Sequence, residues 1–136
     1  MDQFYISYEF TAQQTSIQPL LTPIIQPPEF LLLRSQAEKI ELSTLVRSYI
    51  SSILIALRLH PKVVSTSISS RAVGDIRNLI RVSSLLEGRR EWTNAEYVPE
   101  AVELCTSFRL RIEHGGGGIT FKQILEEVLE NVRAPF

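Results

Sequence analysis

The alternation of apolar and polar positions predicts a chain built mostly of amphipathic helices. Apolar residues recur every three or four positions over 44–59, over 71–86, in a stretch that opens at Thr93, and over about 120–132. That period is typical of helices that bury one face and expose the other. A shorter helix is predicted just before them, because Pro27-Pro28-Glu29 puts proline in a first turn with an acid close behind it.

Local signals mark where these helices begin and end. Ser43 is expected to cap the helix over 44–59, and His60-Pro61 to end it, since the residue before proline avoids the helical region. Gly88 is placed to end the next helix in a left-handed conformation. Thr93 and Glu96 have the spacing of a capping box and predict the start of the following helix.

The helical period also predicts which residues face the core. They are Val46, Tyr49 or Ile50, Ile53 and Leu57 in the first long helix; Ala72, Val73, Ile76, Leu79, Ile80 and Leu86 in the second; Tyr97, Val98, Ala101, Leu104, Cys105 and Phe108 in the third; and Phe121, Ile124, Leu125, Val128 and Leu129 in the last. Glu126, Glu127 and Glu130 are expected to face water.

The two ends of the chain differ from this helical middle. "FYISYEF" alternates aromatic and β-branched residues and predicts a short strand, and the proline-rich stretch after it predicts an extended connector. The glycine run Gly115–Gly118 predicts a flexible hinge before the last helix. We therefore expect a mainly α fold, a small helical bundle over 27–113, with a strand and extended arm over 1–26 and a hinge and helix over 114–136.

Composition narrows the class of protein. The chain has 136 residues with 44% hydrophobic and 21% charged residues, which suits one globular domain. A net charge of −1 gives no electrostatic argument for nucleic acid or an anionic membrane, and the longest apolar run is too short to cross a bilayer. The single cysteine, Cys105, excludes an internal disulfide and is expected to be a small buried residue. This indicates a reducing compartment, by default intracellular and cytoplasmic.

No self-contained enzyme is visible in the sequence. It lacks the phosphate-binding motif G-x-x-x-x-G-K-S/T, because the glycine run is not followed directly by lysine. His60 and His114 have no acid at metal-ligand spacing, so neither a metal site nor a catalytic pair is predicted. Trp92 lies in the turn before a helix and is expected to pack as an anchor.

Arg71 in "SSRAVGDIR" is the residue that most needs an explanation. It is predicted as the first residue of a helix, where the positive end of the helix dipole disfavours a cation. Two interpretations remain open from the residues alone: an ordinary surface cation, or a guanidinium that reaches a phosphate before the helix together with free backbone N–H groups. For Arg77 and Arg81, the favoured interpretation is a solvated face with ion pairs to glutamates.

The order of short motifs resembles the helical lid of AAA+ ATPases of the MoxR and magnesium-chelatase I-subunit group. The matching features are Arg58-Leu59-His60-Pro61, Ser69-Ser70-Arg71-Ala72, Gly88-Arg89 and Thr93-Asn94-Ala95-Glu96-Tyr97-Val98, and the resemblance covers about 27–113. "MDQFYISYEF" is similar to the stretch after sensor 1 of that family, where L-D-R-F precedes a strand. Gln3 stands where the family often has arginine, so it could not supply that charge to a neighbouring subunit.

The resemblance implies a role for Arg71 and a set of partners. In the family, the arginine of S-x-R is the sensor-2 residue, which reaches the γ-phosphate of ATP bound with Mg²⁺ by a neighbouring α/β core. The Walker A, Walker B and sensor 1 motifs would all lie before residue 1, so the chain is expected to have no ATPase activity alone. Its implied partners are an AAA+ α/β core or neighbouring ATPase subunits, in a homo-oligomeric ring in the intact protein.

Two further hypotheses stay open beside the lid. The chain could be a stand-alone helical interaction module that regulates a partner ATPase or an assembly. A DNA-binding bundle that uses the arginines of 71–90 is the weaker one, because the net charge is slightly acidic and the sequence has no basic terminal arm.

Overall fold

A computed structural model describes residues 22–89, 91–113 and 117–135. The predicted strand, and most of the connector expected over 1–26, lie outside these described residues. By its internal contacts the chain divides into two compact units, residues 1–32 and 33–136. Within the described ranges the regular structure is helical, apart from two single β-bridges. The prediction of a mainly helical bundle is confirmed.

Five α-helices follow one another along the described residues. They are α1 (Pro27–Glu38), α2 (Thr44–Leu59), α3 (Ser70–Leu86), α4 (Val98–Thr106) and α5 (Phe121–Asn131). Short 3₁₀ turns at Ser65–Ser67 and Ala95–Tyr97 precede α3 and α4. None of the helices in the described ranges has the length and hydropathy needed to cross a membrane.

Helix α1 begins at the predicted prolines. The backbone N–H of Gln26 donates to the carboxylate of Glu29 over 3.0 Å, so the acid behind the prolines helps to hold the first turn. Phe30, Leu31 and Leu32 nevertheless remain exposed. The α1 sequence thus forms a helix without an apolar stripe of the kind that the longer helices carry.

The ends of α2 are those that the sequence predicts. The Ser43 hydroxyl accepts a hydrogen bond from the Val46 N–H over 3.2 Å, which satisfies one of the free donors of the first turn. His60 adopts an extended conformation before Pro61 and ends the helix. Gly88 has a φ of 84°, so the left-handed turn expected after α3 is also confirmed.

The predicted capping box at Thr93 is wrong. Asn94 is the capping residue: its side-chain oxygen accepts from the Glu96 N–H, and the chain makes a 3₁₀ turn before α4 begins at Val98. Pro99 stands in the first turn of α4, where its missing N–H costs nothing. The Thr93 hydroxyl has no hydrogen-bond partner among the described residues.

The core of residues 33–136 lies between four helices. Helices α3 and α4 pack together most extensively, and α5 packs against α2 and α4. The largest side chains with almost no exposed surface are Ile40, Ile50, Ile53, Leu57, Ile76, Ile80, Val98, Val102 and Ile124, with the polar Thr106 and Ser84. Helix α5 therefore belongs to the same core as the three helices before it.

The predicted core faces hold for α2 and α5 and need correction at the ends of α3 and α4. Leu86, Leu104 and Phe108 are exposed, contrary to the prediction. Leu86 is the last residue of α3, where the helix leaves the core before the glycine turn. Trp92 is also 59% exposed, so the prediction of a packed anchor is wrong.

Two bridges tie the connecting segments to each other. Glu41 pairs with Trp92 in a parallel bridge, and Val63 pairs with Ile112 in an antiparallel bridge. The second bridge places the segment after α4 beside the loop that leads into α3. This loop positions the residues of the candidate site.

Candidate functional site

The start of α3 is held in place by the core residues that follow it. Ala72 and Ile76 are completely buried, and Ile68 just before the helix is 3% exposed. The Arg58 Nε donates to the Ile68 carbonyl over 3.2 Å, which joins the end of α2 to this loop. The first turn of α3 thus has a fixed position although its outer surface is open to solvent.

Helix α3 begins one residue earlier than predicted, so Arg71 is its second residue. Ser69 is the N-cap in an extended conformation, but its hydroxyl makes no capping hydrogen bond. The Ala72 N–H donates to the Ser69 carbonyl over 3.1 Å, whereas the N–H groups of Ser70 and Arg71 have no acceptor among the described residues. The helix start therefore presents unused donors at its positive end.

The Arg71 side chain is exposed and has no ion pair or hydrogen bond within the described part of the chain. Asp75, one turn further along α3, has the spacing at which it could neutralise Arg71. Its carboxylate binds the guanidinium of Arg109 instead. No acid among the described residues therefore neutralises the charge on Arg71.

A pocket of about 520 Å³ opens directly before α3. It is lined by Thr66, Ser67, Ser69, Phe108, Arg109, Leu110 and Arg111. Three hydroxyl groups and two arginines make its wall largely polar. The pocket and Arg71 both lie at the start of α3, but Arg71 does not line the pocket.

Arg109 is fixed by two contacts on this wall. Its Nη2 binds the carboxylate of Asp75, and its guanidinium lies 4.9 Å from the centre of the Phe108 ring, within range of a cation–π contact. Its Nη1 is buried without a hydrogen-bond partner among the described residues. Sequence reasoning missed Arg109 and Arg111; the two-residue spacing of the arginines in "RLRIE" was the available signal.

Arg77 and Arg81 do not form the solvated, ion-paired face that was predicted. The Arg81 Nε donates to the Ile40 carbonyl over 3.1 Å, and its Nη1 donates to the Asn78 side chain over 3.3 Å. The Arg77 Nε is buried without a partner among the described residues. Arg81 therefore ties α3 to the segment after α1 through a partly buried hydrogen bond.

The remaining candidate groups have structural surroundings. His60 lies at the end of α2: its Nδ1 accepts from the Lys62 N–H over 3.2 Å, and its Nε2 is 2.9 Å from a carboxylate oxygen of Glu127 in α5. His114 lies outside the described residues. In the part of the chain that the structure describes, no three His, Cys, Asp or Glu side chains converge as a metal site would require.

Cys105 is buried in α4, which confirms its prediction as a small core residue. Burial raises the pKa of its thiol, the negative charge of Asp75 raises it further, and Arg109 lowers it. A thiol with a raised pKa is a poor nucleophile at neutral pH. The surroundings of Cys105 thus favour packing over chemistry.

Comparisons of the chain with protein-family models, with curated proteins and with solved structures found no match. The geometry around α3 is therefore the basis on which a function can be proposed.

Proposed function

We propose that this chain is the helical lid portion of an AAA+ ATPase of the MoxR and magnesium-chelatase type, with Arg71 as its sensor-2 arginine. In this proposal Arg71 contacts the phosphate of ATP that a neighbouring α/β core binds with Mg²⁺. The ordered motifs from Arg58-Leu59-His60-Pro61 to Thr93–Val98 support the family assignment. The chain itself would contribute a charge and a closing surface, and no catalytic group.

The observation that carries the proposal is the set of charges and unpaired N–H groups at the start of α3. An exposed arginine stands at the positive end of α3, beside N–H donors that have no acceptor among the described residues, while the carboxylate of Asp75 on the same helix binds Arg109. A phosphate group would be attracted by both the guanidinium and the helix start. As charge develops on the transferred phosphoryl group, a guanidinium in that position stabilises it.

A lid exchange tests the proposal. Residues 27–136, which include α5, would replace the lid of an active MoxR-type ATPase, and ATP turnover would be measured for the chimera with Arg71 and for its Arg71→Lys and Arg71→Ala variants. We expect kcat to fall at least about tenfold for Arg71→Ala, with partial activity for Arg71→Lys. The control is Arg34→Ala, because Arg34 forms only an exposed pair with Glu38. Equal turnover with Arg71 and with alanine would refute the sensor-2 role.

The second candidate is a stand-alone helical module that binds a partner ATPase or an assembly. It is favoured by the large apolar side chains that remain exposed on several helices, among them Leu45, Ile55 and Leu86. Exposed apolar surface of this kind marks sites of protein contact. In the lid exchange, this candidate predicts that turnover does not depend on Arg71.

A further inference from the structure

Helix α2 has two apolar faces, and only one of them is buried. Its inner face consists of Val46, Tyr49, Ile50, Ile53, Leu54 and Leu57, which belong to the core. On the opposite side Leu45, Ser48, Ser52, Ile55 and Leu59 are all exposed. We refer to these five residues as the outer stripe.

The outer stripe has the spacing of a helix-packing seam. Its members follow one another at intervals of three, four, three and four residues, the repeat by which two helices pack lengthwise at a shallow angle. The stripe contains no charged residue, although Ile55 is 53% exposed and Leu59 is 77% exposed. A face that serves only to meet water would carry charges at some of these positions.

Ser52, in the middle of the outer stripe, can be covered by a partner helix at little cost in free energy. The Ser52 hydroxyl donates to the Ser48 carbonyl over 2.9 Å, so its donor is satisfied within α2. A hydroxyl that is bonded to its own helix does not need water and behaves toward a partner as a small side chain. Small residues in the middle of the stripe also allow a second helix to approach closely.

The charges beside the outer stripe specify the kind of partner. Arg47 and Arg58 are the charged residues of α2, and the helix contains no acid. They are eleven residues apart, close to three full turns, so they lie on the same side of the helix about 16 Å apart. Their Nε atoms donate to the Leu42 and Ile68 carbonyls over 3.1 and 3.2 Å, which leaves the Nη groups for a partner. The Arg47 Nη2 has a long, exposed contact of 3.8 Å with Glu41, and Arg58 has no ion pair within the described residues.

These charges argue against a second copy of the chain on this face. Pairing α2 with α2 would bring arginines together without any acid to neutralise them. The acidic helix of the chain, α5, cannot serve either, because its apolar residues Ile124, Leu125 and Val128 are already buried in the core. An acidic amphipathic helix from another protein could cover the apolar side chains of the outer stripe and place carboxylates near the two arginines.

We propose that the outer stripe of α2 is a docking site for an amphipathic helix of another protein, one with a three–four apolar repeat and acidic residues along its flank. Such a helix would lie along α2, cover Leu45, Ile55 and Leu59, and place its acids opposite Arg47 and Arg58. This site lies on α2 and does not involve Arg71. It is compatible with either proposed function and depends on neither.

Two synthetic peptides test the proposal against the full chain. Each has three heptad repeats with leucine at the two apolar positions; one carries glutamate at the flanking positions and the other lysine. Like charges keep each peptide from pairing with itself. By fluorescence anisotropy at low salt, we expect the glutamate peptide to bind about tenfold more tightly than the lysine peptide, with a smaller difference at high salt.

A matched pair of variants locates the binding surface. Ile55→Gln should weaken binding of the glutamate peptide about tenfold, because it removes the central apolar contact. Leu104→Gln, on α4, should leave binding unchanged although Leu104 is 55% exposed and Ile55 53%. Circular dichroism would verify that both variants are folded.

Three results would overturn the proposal. They are equal affinity for the two peptides, binding that Ile55→Gln and Leu104→Gln weaken equally, and the absence of measurable binding to either peptide. Self-association of the chain that Ile55→Gln abolishes would overturn it as well, since it would make a second copy the occupant.

Discussion

At the scale of single residues, the buried polar groups are more informative than the apolar ones. Ser84 is completely buried and its hydroxyl has no partner among the described residues, whereas the equally buried Thr106 donates to the Val102 carbonyl over 2.6 Å. A buried hydroxyl without a partner costs free energy, and a bonded one contributes a modest gain. The two positions should therefore respond differently to loss of the hydroxyl.

We predict that Ser84→Ala leaves the free energy of unfolding unchanged or raises it by about 1 kcal/mol. Thr106→Val, which keeps the shape of the side chain and removes its hydrogen bond, should lower it by about 1 kcal/mol. Urea denaturation followed by circular dichroism measures both. A loss above about 2 kcal/mol for Ser84→Ala would mean that the hydroxyl has a bonding partner such as an ordered water.

Tyr49 gives the chain a dependence on alkaline pH. Burial raises the pKa of its phenol above the ordinary value of 10.0. The folded state then holds the proton more tightly than the unfolded state does, so the contribution to stability is complete below pH 10 and is lost as the pH rises toward the folded-state pKa. We predict that raising the pH from neutral to above 10 lowers the free energy of unfolding less in Tyr49→Phe than in the unchanged chain.

The residual alkaline loss in that variant is assigned to Cys105, whose thiol pKa is also raised, and, among the tyrosines, to Tyr97. Its hydroxyl donates to Glu87, and this hydrogen bond is the main cause that raises its pKa. Denaturant titrations of Tyr49→Phe, Tyr97→Phe and the double variant across this pH range would separate the two. An unchanged pH dependence in Tyr49→Phe would contradict the role assigned to the buried phenol.

At the scale of elements, the helices that sequence reasoning predicted well are those with strong local ends. Ser43 acts through its own hydroxyl, and His60-Pro61 and Gly88 act through their own backbone, so these local effects are visible in the sequence. The start of α4 was missed because Thr93 and Asn94 both have capping side chains. In the structure the Asn94 side chain caps a 3₁₀ turn, and α4 begins only at Val98, which places Pro99 in the first turn of the helix. A helix that began at Thr93 would instead have Pro99 in its interior.

The candidate site could be predicted only in part. The position of Arg71 at a helix start follows from local sequence, and the structure moves it by one residue. Asp75 and Arg109 are 34 positions apart in the sequence. Their ion pair could not be predicted because it depends on how α3 packs against α4. The pocket likewise needs the bridge between Val63 and Ile112, and no periodicity along the chain encodes that bridge.

Helix α5 offers a test of a contact between elements. Its Glu127 carboxylate lies 2.9 Å from the His60 Nε2, and the His60 ring is mostly buried at the end of α2. We predict that Glu127→Ala speeds amide hydrogen exchange in α5 about threefold to tenfold, as expected for loss of one such hydrogen bond. Glu126→Ala is the control, because Glu126 is exposed and has no such contact in the described chain. Equal exchange in the two variants would show that this contact does not hold α5 in place.

At the scale of the whole molecule, the question is where the folded unit ends. The resemblance to an ATPase lid covers about 27–113 and leaves the last helix without a role. In the structure, however, α5 inserts Ile124, Leu125 and Val128 between α2 and α4, and all three are at most 4% exposed. The core that supports the start of α3 is thus completed by residues outside the region of resemblance.

A chain that ends at Glu113 should therefore lose most of its stability. Burial of three such side chains contributes about 1.5–3 kcal/mol each, a sum comparable with the whole free energy of unfolding of a small domain. We predict that residues 1–113 lose the cooperative thermal transition that the full chain shows by circular dichroism. Adding α5 back as a separate peptide should restore the transition, since its contacts need no covalent link. A cooperative transition at an unchanged temperature in the shortened chain would instead make α5 an appendage of a complete four-helix unit, and residues 27–113 would then suffice for the lid exchange.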